Sequence, residues 1–345
     1  MPKGEYLQYG GQAIVEGVMM RSPRFFSVAC RAPNGKIILR TEAIEKTWIG
    51  RQKWLKAPFL RGSLALLDSM ALGVRAMRFA SNVQMLPEYQ VVSEPTPNDE
   101  TAAAPPSGRV QDVAIGATLV ISLVLGLLLF NYLPNTIAER LHLWLKTTDP
   151  RLTNFIAELV KAVLFFGYIG LIGLLPDIRE VFKYHGAEHK AINTLEADQL
   201  LEMEQCLKQT RLHPRCGTSF AIIVLLLGFL VFTFLPRYPL GENHFWLFNV
   251  SVRFLIELCI LPIIAGVAYE LLRLAGKFRN TTVITVLFSP GLGSQYLTTR
   301  EPEGRHVEVA LAALQSCIAA ETGAQEPVEY LELDTEESAA KLMAG

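Results

Sequence analysis

Gly217 to Pro236 reads GTSFAIIVLLLGFLVFTFLP and carries no charge. A helix needs about 20 apolar residues to cross a hydrocarbon core about 30 Å thick, so this run predicts a membrane span. Three other stretches read the same way. Val113 to Ala138 is uncharged, with Ala114 to Pro134 as the first span. Leu152 to Pro176 is the second and holds Glu158 and Lys161. Gly217 to Pro236 is the third. Phe245 to about Ala268 is the fourth and holds Arg253 and Glu257. The expected fold class is a mainly α membrane protein: four transmembrane helices with a small N-terminal α+β cytoplasmic unit. The lipid bilayer is its first expected partner.

Lys and Arg set the expected orientation. Fourteen precede the first span, three lie between Asn135 and Arg151, and six lie between Asp177 and Cys216. The positive-inside rule then places both termini and the second loop in the cytoplasm. Charges inside spans face the bundle interior and pair, and Glu158 with Lys161 and Arg253 with Glu257 are spaced to do so. The first and third spans end alike, in Phe130-Asn131-Tyr132-Leu133-Pro134 and Phe232-Thr233-Phe234-Leu235-Pro236, a short echo that suggests two related helical hairpins.

The third span is preceded directly by His213-Pro214-Arg215-Cys216, and further upstream stands Tyr184-His185-Gly186-Ala187-Glu188-His189-Lys190. On a helix His185 and His189 share one face. The order His-x-x-Glu-His is the inverted zinc-protease arrangement, in which the glutamate is a base and not a ligand. His213 and Cys216 add an imidazole and a thiolate, giving three nitrogens and one sulfur, a borderline-soft set suited to Zn2+, although another divalent metal would fit. The expected metal ligands are His185, His189, His213 and Cys216, with Glu188 catalytic. Glu270, near the inner end of the fourth span, is an accessory acid. Each cluster alone also reads as packed histidines and ordinary turn residues before a helix.

At the N-terminal side, Met1 to Gln12 has no apolar core and is not expected to be a signal peptide. Gly10 to Arg21 reads as a strand or tight loop with Glu16 and Arg21 as its conspicuous charges. Phe25–Arg31 and Lys36–Ala43 are strand-like around Asn34-Gly35, a hairpin signal, and predict a half-buried β unit. From Pro58 to Val83, Leu60, Leu64, Leu67, Met70, Ala71, Val74 and Met77 recur at helical spacing, while Arg61, Arg75 and Arg78 make the other face basic. That helix either lies at a lipid surface or packs on the β unit. The expected domains are 1–87, a flexible linker 88–108, a membrane domain 109–280 with the site loop 177–217, and a cytoplasmic segment 281–345 with a helix at 303–320. Five scattered cysteines give no disulfide framework. A net charge of −1 gives no reason to expect nucleic acid.

The stretches Gly11 to Arg21, His185 to Lys190, His213 to Phe220 and Thr298-Thr299-Arg300-Glu301-Pro302 resemble the signatures of the YqhQ-like family, bacterial integral membrane proteins described as predicted metal-dependent enzymes. The resemblance runs in order from Gly10 to about Ala320. It implies a multi-pass protein of the bacterial cytoplasmic (inner) membrane with a shared site, and brings Glu16 and Arg21 into the functional region. Three functions compete. A zinc hydrolase at the cytoplasmic membrane face would use Glu188 as its base and take an unspecified substrate. A non-enzymatic scaffold would hold a structural zinc with all four ligands. A small transporter would use the intramembrane charges and need a homo-oligomer.

Overall fold

A computed structural model of the chain describes residues 9–44, 60–90, 117, 120–146, 149–241, 243–277, 282–324, 326–328 and 331–333. The fold is mainly helical, with one small antiparallel sheet among these residues. The chain divides into two compact units. One comprises Met1–Val91, Ile169–Val224 and Ala265–Gly345, the other Val92–Tyr168 and Leu225–Ile264.

In the first unit, β1 (Gly10–Ile14), β2 (Gly17–Arg21), β3 (Phe25–Arg31), β4 (Ile37–Ala43) and β5 (Leu331–Leu333) pair antiparallel in that order. The β1–β2 hairpin turns through Val15 and Glu16, whose φ is 50°. The Asn34-Gly35 turn forms as its dipeptide predicts, with Gly35 at φ 88°. Successive strand residues point to opposite faces, and here both faces are covered. Met19, Phe26, Val28 and Ile38 pack on Leu72, Ala76, Phe79, Ala80 and Val83 of α1 (Leu60–Met85). On the other face, Val18, Met20, Ala29 and Leu39 meet α4 (Pro176–Glu196) and α9 (Gly304–Thr322) through Tyr184, Ala187, Val307, Ala310 and Leu314. The sheet is therefore not half-buried as expected. It is the middle layer of three.

Two sequence expectations change here. The face of α1 that packs on the sheet is not the one marked by Leu67, Met70, Val74 and Met77. Those four point outward, so α1 is apolar on two opposite sides. The carboxy-terminal segment contains β5, a strand that adds to the sheet edge, and α8 (Thr282–Thr298). Of the expected linker, Glu88 to Gln90 are described. Pro87–Tyr89 is a 3-10 turn, and the carbonyl of buried Tyr89 accepts the Asn34 N–H at 3.0 Å. Residues 91–108 and the acidic end from 334 lie outside the described residues.

Among the described residues three helices are long and apolar enough to cross a membrane: α2 (Val120–Leu145), α3 (Pro150–Ile172) and α7 (Trp246–Lys277), the last over Trp246–Leu272. The run that predicted the third span forms α6, helical only over Gly217–Thr233. The first span does not stop at Pro134. A π-helical turn at Leu128–Tyr132 leads into it and the helix continues to Leu145, as expected where a local change of hydrogen bonding absorbs the missing proline N–H.

The second unit is laced by buried charge. Arg253 donates to Glu257 at 2.9 Å, to the Phe232 carbonyl at 2.8 Å and to Asn154 Oδ1. Lys161 lies 2.9 Å from Glu158 and 3.5 Å from Glu257. Two acids and two bases thus neutralise one another across α3 and α7. Arg237, between α6 and α7, is buried and bound to Asn135 and Glu139.

Two predictions follow from these contacts. Removing one partner of a buried ion pair costs about 3–5 kcal/mol because it strands the other. Arg253→Ala should lower thermal stability in detergent sharply, while Arg253→Met combined with Glu257→Leu should recover much of the loss; equal stability of Arg253→Ala and wild type would refute the network. In the first unit, burial opposes ionisation of Glu180, but hydrogen bonds from Lys183 and His306, both 2.8 Å, outweigh it and hold the carboxyl below its ordinary range. A depressed carboxyl contributes stability that is complete above its unfolded value of about 4.3 and lost as pH falls through the folded one. Acid titration of unfolding should therefore flatten in Glu180→Gln, and an unchanged acid limb would contradict the assignment.

Candidate functional site

The site lies wholly within the first unit and starts from α4. Pro176 opens the helix, and Asp177 sits in its first turn, where a negative charge suits the helix dipole. Four residues apart on this helix, the rings of His185 and His189 stand 4.5 Å apart between centroids. Cys216 precedes the first turn of α6. Its Sγ lies 3.1 Å from His185 Nε2 and is also approached by the Thr218 hydroxyl at 3.1 Å.

One ligand atom from each of His185, His189 and Cys216 lies within 4.8 Å of the others, so this group could hold a metal ion. In a tetrahedral site, bonds of about 2.0–2.3 Å set ligand atoms roughly 3.3–3.6 Å apart. Side-chain rotation would have to draw the widest pair together by about 1.5 Å at most. The orientation of the rings is fixed from behind. His185 Nδ1 is 2.8 Å from the Thr298 carbonyl, and His189 Nδ1 is 2.6 Å from the Arg211 carbonyl. A carbonyl can only accept, so both Nδ1 atoms carry a proton, and in the neutral ring the lone pair then lies on Nε2. This is the arrangement by which carbonyls orient metal-binding imidazoles.

His213 is near but outside that group. Its ring centroid is 5.7 Å from that of His189. Its backbone is clasped by Gln295, whose Oε1 accepts the His213 N–H at 2.8 Å and whose Nε2 donates to the His213 carbonyl at 2.7 Å. Its buried Nε2 has no hydrogen bond and stands 3.5 Å from Glu196. Burial pushes the His213 imidazole pKa down, against the pull of Glu196.

Glu188 does not point away from the cluster as ideal helix spacing suggests. Its carboxylate lies 3.4 Å from His189 Nε2. Burial pushes this carboxyl above the ordinary carboxylate range, opposed by His185, His213 and the backbone N–H of Gly11. That N–H is available because β1 runs against α4. A Cβ at Gly11 would stand 2.7 Å from Glu188 Cγ. The N-terminal motif therefore reaches the site through a glycine backbone. Glu16 accepts the Tyr184 hydroxyl at 3.2 Å, one helical turn before Glu188. Arg21 is directed elsewhere, to Asp68 at 2.7 Å and Ser69 on α1. Glu270 lies half-buried on α7 and is not in the His185–His189–Cys216 group.

Residues 298–302 complete the cradle. At Gly186 a Cβ would stand 2.2 Å from the Arg300 carbonyl and 3.3 Å from Pro302. The Arg300 N–H donates to Phe182 at 2.9 Å, Arg211 donates to the Thr299 carbonyl at 2.9 Å, and Lys190 pairs with Glu301 at 2.6 Å. The carbonyls of Thr298 and Arg211 and the side chain of Gln295 were not foreseen as working parts. Backbone acceptors leave no trace in residue identity, although the Thr298 to Pro302 motif marks the segment.

A protein-family model described as "Protein of unknown function (DUF1385)" matches residues 57–320. A Bacillus subtilis (strain 168) protein, described as "Uncharacterized protein YqhQ", is 31% identical over 311 residues, covering 90% of this chain and 92% of that protein. No solved structure matches.

The close approach at Gly186 is directly testable. Gly186→Ala must push the 298–302 segment off α4, at a cost of about 1–3 kcal/mol for overpacking. Gly217→Ala, where a Cβ meets nothing within 4 Å, should not destabilise. Comparable melting curves for the two variants would mean that the segment does not press on α4.

Proposed function

The chain belongs to the DUF1385 family, and for it we propose a metal-dependent hydrolase embedded in the membrane, with His185, His189 and Cys216 as ligands and Glu188 as the proton-transferring group. The observation that carries this reading is the pair of Nδ1–carbonyl bonds, which turn both Nε2 atoms away from the backbone, that of His185 toward the Cys216 thiol at 3.1 Å and that of His189 toward Glu188 at 3.4 Å. Two imidazoles and a thiolate favour zinc among divalent ions. Three protein ligands leave one position open, the pattern of catalytic zinc, whereas structural zinc takes four. The ion would supply Lewis acidity, polarising a carbonyl or phosphoryl oxygen.

The chain's own residues account for the remaining work. Glu188 is shielded from bulk water and burial raises its carboxyl above the ordinary carboxylate range, a direction that suits a group that must both accept and return a proton. Thr298 and Arg211 hold the imidazoles in one tautomer. Gln295 fixes the backbone of His213. The Lys and Arg distribution supports placing the site and both termini on the cytoplasmic side. It also supports counting α6 as a fourth span, since an even number returns the chain to that side; its 17 residues extend about 26 Å.

A second reading rests on the orphaned Nε2 of His213. If that ring swings in as a fourth ligand, the zinc is structural. Metal analysis of the detergent-purified protein, with cobalt substitution to show the thiolate charge-transfer band, separates the two. Wild type, Glu188→Gln and His213→Ala should each hold about one equivalent per chain, while His189→Ala and Cys216→Ser lose it. Loss of metal in His213→Ala would establish the structural reading, and a metal-free wild type would end both.

A further inference from the structure

The second apolar side of α1 is not absorbed by the site or the sheet. Leu67 is 54% exposed, Met70 58%, Val74 55% and Met77 48%. At 100° per residue these four fall within about 80° of one another, opposite the face that packs on β2 and β3. The stripe from Leu67 to Met77 is about 15 Å long.

Three observations say what covers it. The N-terminal end of α1 rests on α7, where a Cβ at Gly62 would stand 2.6 Å from Tyr269 Cβ and 3.2 Å from the Gly266 Cα. Gly266 and Tyr269 lie in the last part of the candidate span Trp246–Leu272, and tyrosine is enriched where spans leave the hydrocarbon. So α1 begins beside a membrane helix near its end. The second observation is a cavity of about 210 Å³ on the flank of the stripe, between α1 and the sheet, lined by Arg40, Glu42, Arg75, Arg78, Phe79 and Asn82. The third is its charge. Three guanidinium groups there face one carboxylate, which Arg40 and Arg75 already share, and Arg75 also lies over the Phe26 ring at 5.1 Å.

We propose that α1 is a lipid-interface helix: its Leu67–Met77 stripe enters the acyl boundary of the bilayer, and the arginine-lined cavity beside it binds the phosphate of an anionic lipid headgroup. An apolar stripe flanked by arginines is the composition that binds anionic interfaces. The cavity lies outside the metal centre, and the inference does not depend on hydrolysis.

The test uses the full-length protein. A photo-crosslinking residue is placed at Met70, at Val74 or at exposed Glu88, in nanodiscs of phosphatidylcholine with or without phosphatidylglycerol. Lipid adducts at Met70 and Val74, but not at Glu88, are expected. Adducts to a second copy, or to this chain's own 91–116 segment, would overturn the proposal. Native mass spectrometry of the detergent-purified protein reads the cavity. Each basic residue near an anionic surface contributes about 1 kcal/mol, so Arg75→Gln with Arg78→Gln should reduce phosphatidylglycerol retention by about thirtyfold, with the metal content unchanged. Equal retention by variant and wild type would refute the headgroup site. Retention of inorganic phosphate without retention of the lipid would refute the lipid assignment.

Discussion

The contact on which the site depends is the passage of the Arg300 backbone over Gly186. No side chain fits between them. Because residue 186 has none, the segment from Thr298 to Pro302 lies flat on α4. The Thr298 carbonyl then reaches His185 from one side while α9, entered after Pro302, closes on the sheet from the other. The tyrosine before His185 packs edge-on against His306 of α9 at 4.8 Å between centroids. One glycine therefore sets the distance between the helix that carries the histidines and the segments that aim and bury them.

Around that contact the chemistry follows from what is withheld from water. The donors of the cluster face inward, and their rear atoms are occupied by backbone carbonyls instead of titrating side chains. That choice orients the imidazoles without adding charge behind them. The buried carboxylate of the cluster, Glu188, is supported by imidazoles and a peptide N–H, with the charge of Arg215 a lesser influence. A buried acid so placed resists permanent ionisation more than one locked in an ion pair.

Much of this was legible in the residues. The Asn34-Gly35 turn, the strands beside it, the helix over 304–322 and the membrane character all follow from local pattern, because hydrophobic period and turn chemistry are local quantities. Two of the four expected ligands, His185 and His189, needed only the helical repeat to be brought together. Cys216 could be joined to them only by chain reach, and His213 shows the limit of that reasoning: reach allows convergence but does not orient a ring. Whether α1 lies at a lipid surface or packs on the sheet stays open in the residues, because Leu72, Ala76, Phe79, Ala80 and Val83 form an apolar series as regular as the one from Leu67 to Met77, and sequence alone does not say which side finds a partner. Arg237 shows the same limit for charge, since a cation between two apolar helices, which residue identity alone would place in an exposed loop, is buried against Glu139 and Asn135. β5 has three residues, too few for periodicity to register.

That short strand has a consequence for how the molecule is made. Its partner β4 ends at Ala43, and Ile37 pairs with Leu333, so nearly 300 residues are synthesised between the two halves of one ladder. The apolar helices leave the ribosome in the interval and are committed to the bilayer first. The sheet must wait as an open-edged hairpin assembly until α9 and β5 emerge, and its exposed backbone is vulnerable to pairing with other chains during that time. Closure of the cradle around His185, His189 and Cys216, which needs residues 298–302, falls in the same window. Until those residues have been translated, the imidazole of His185 has no carbonyl to orient it.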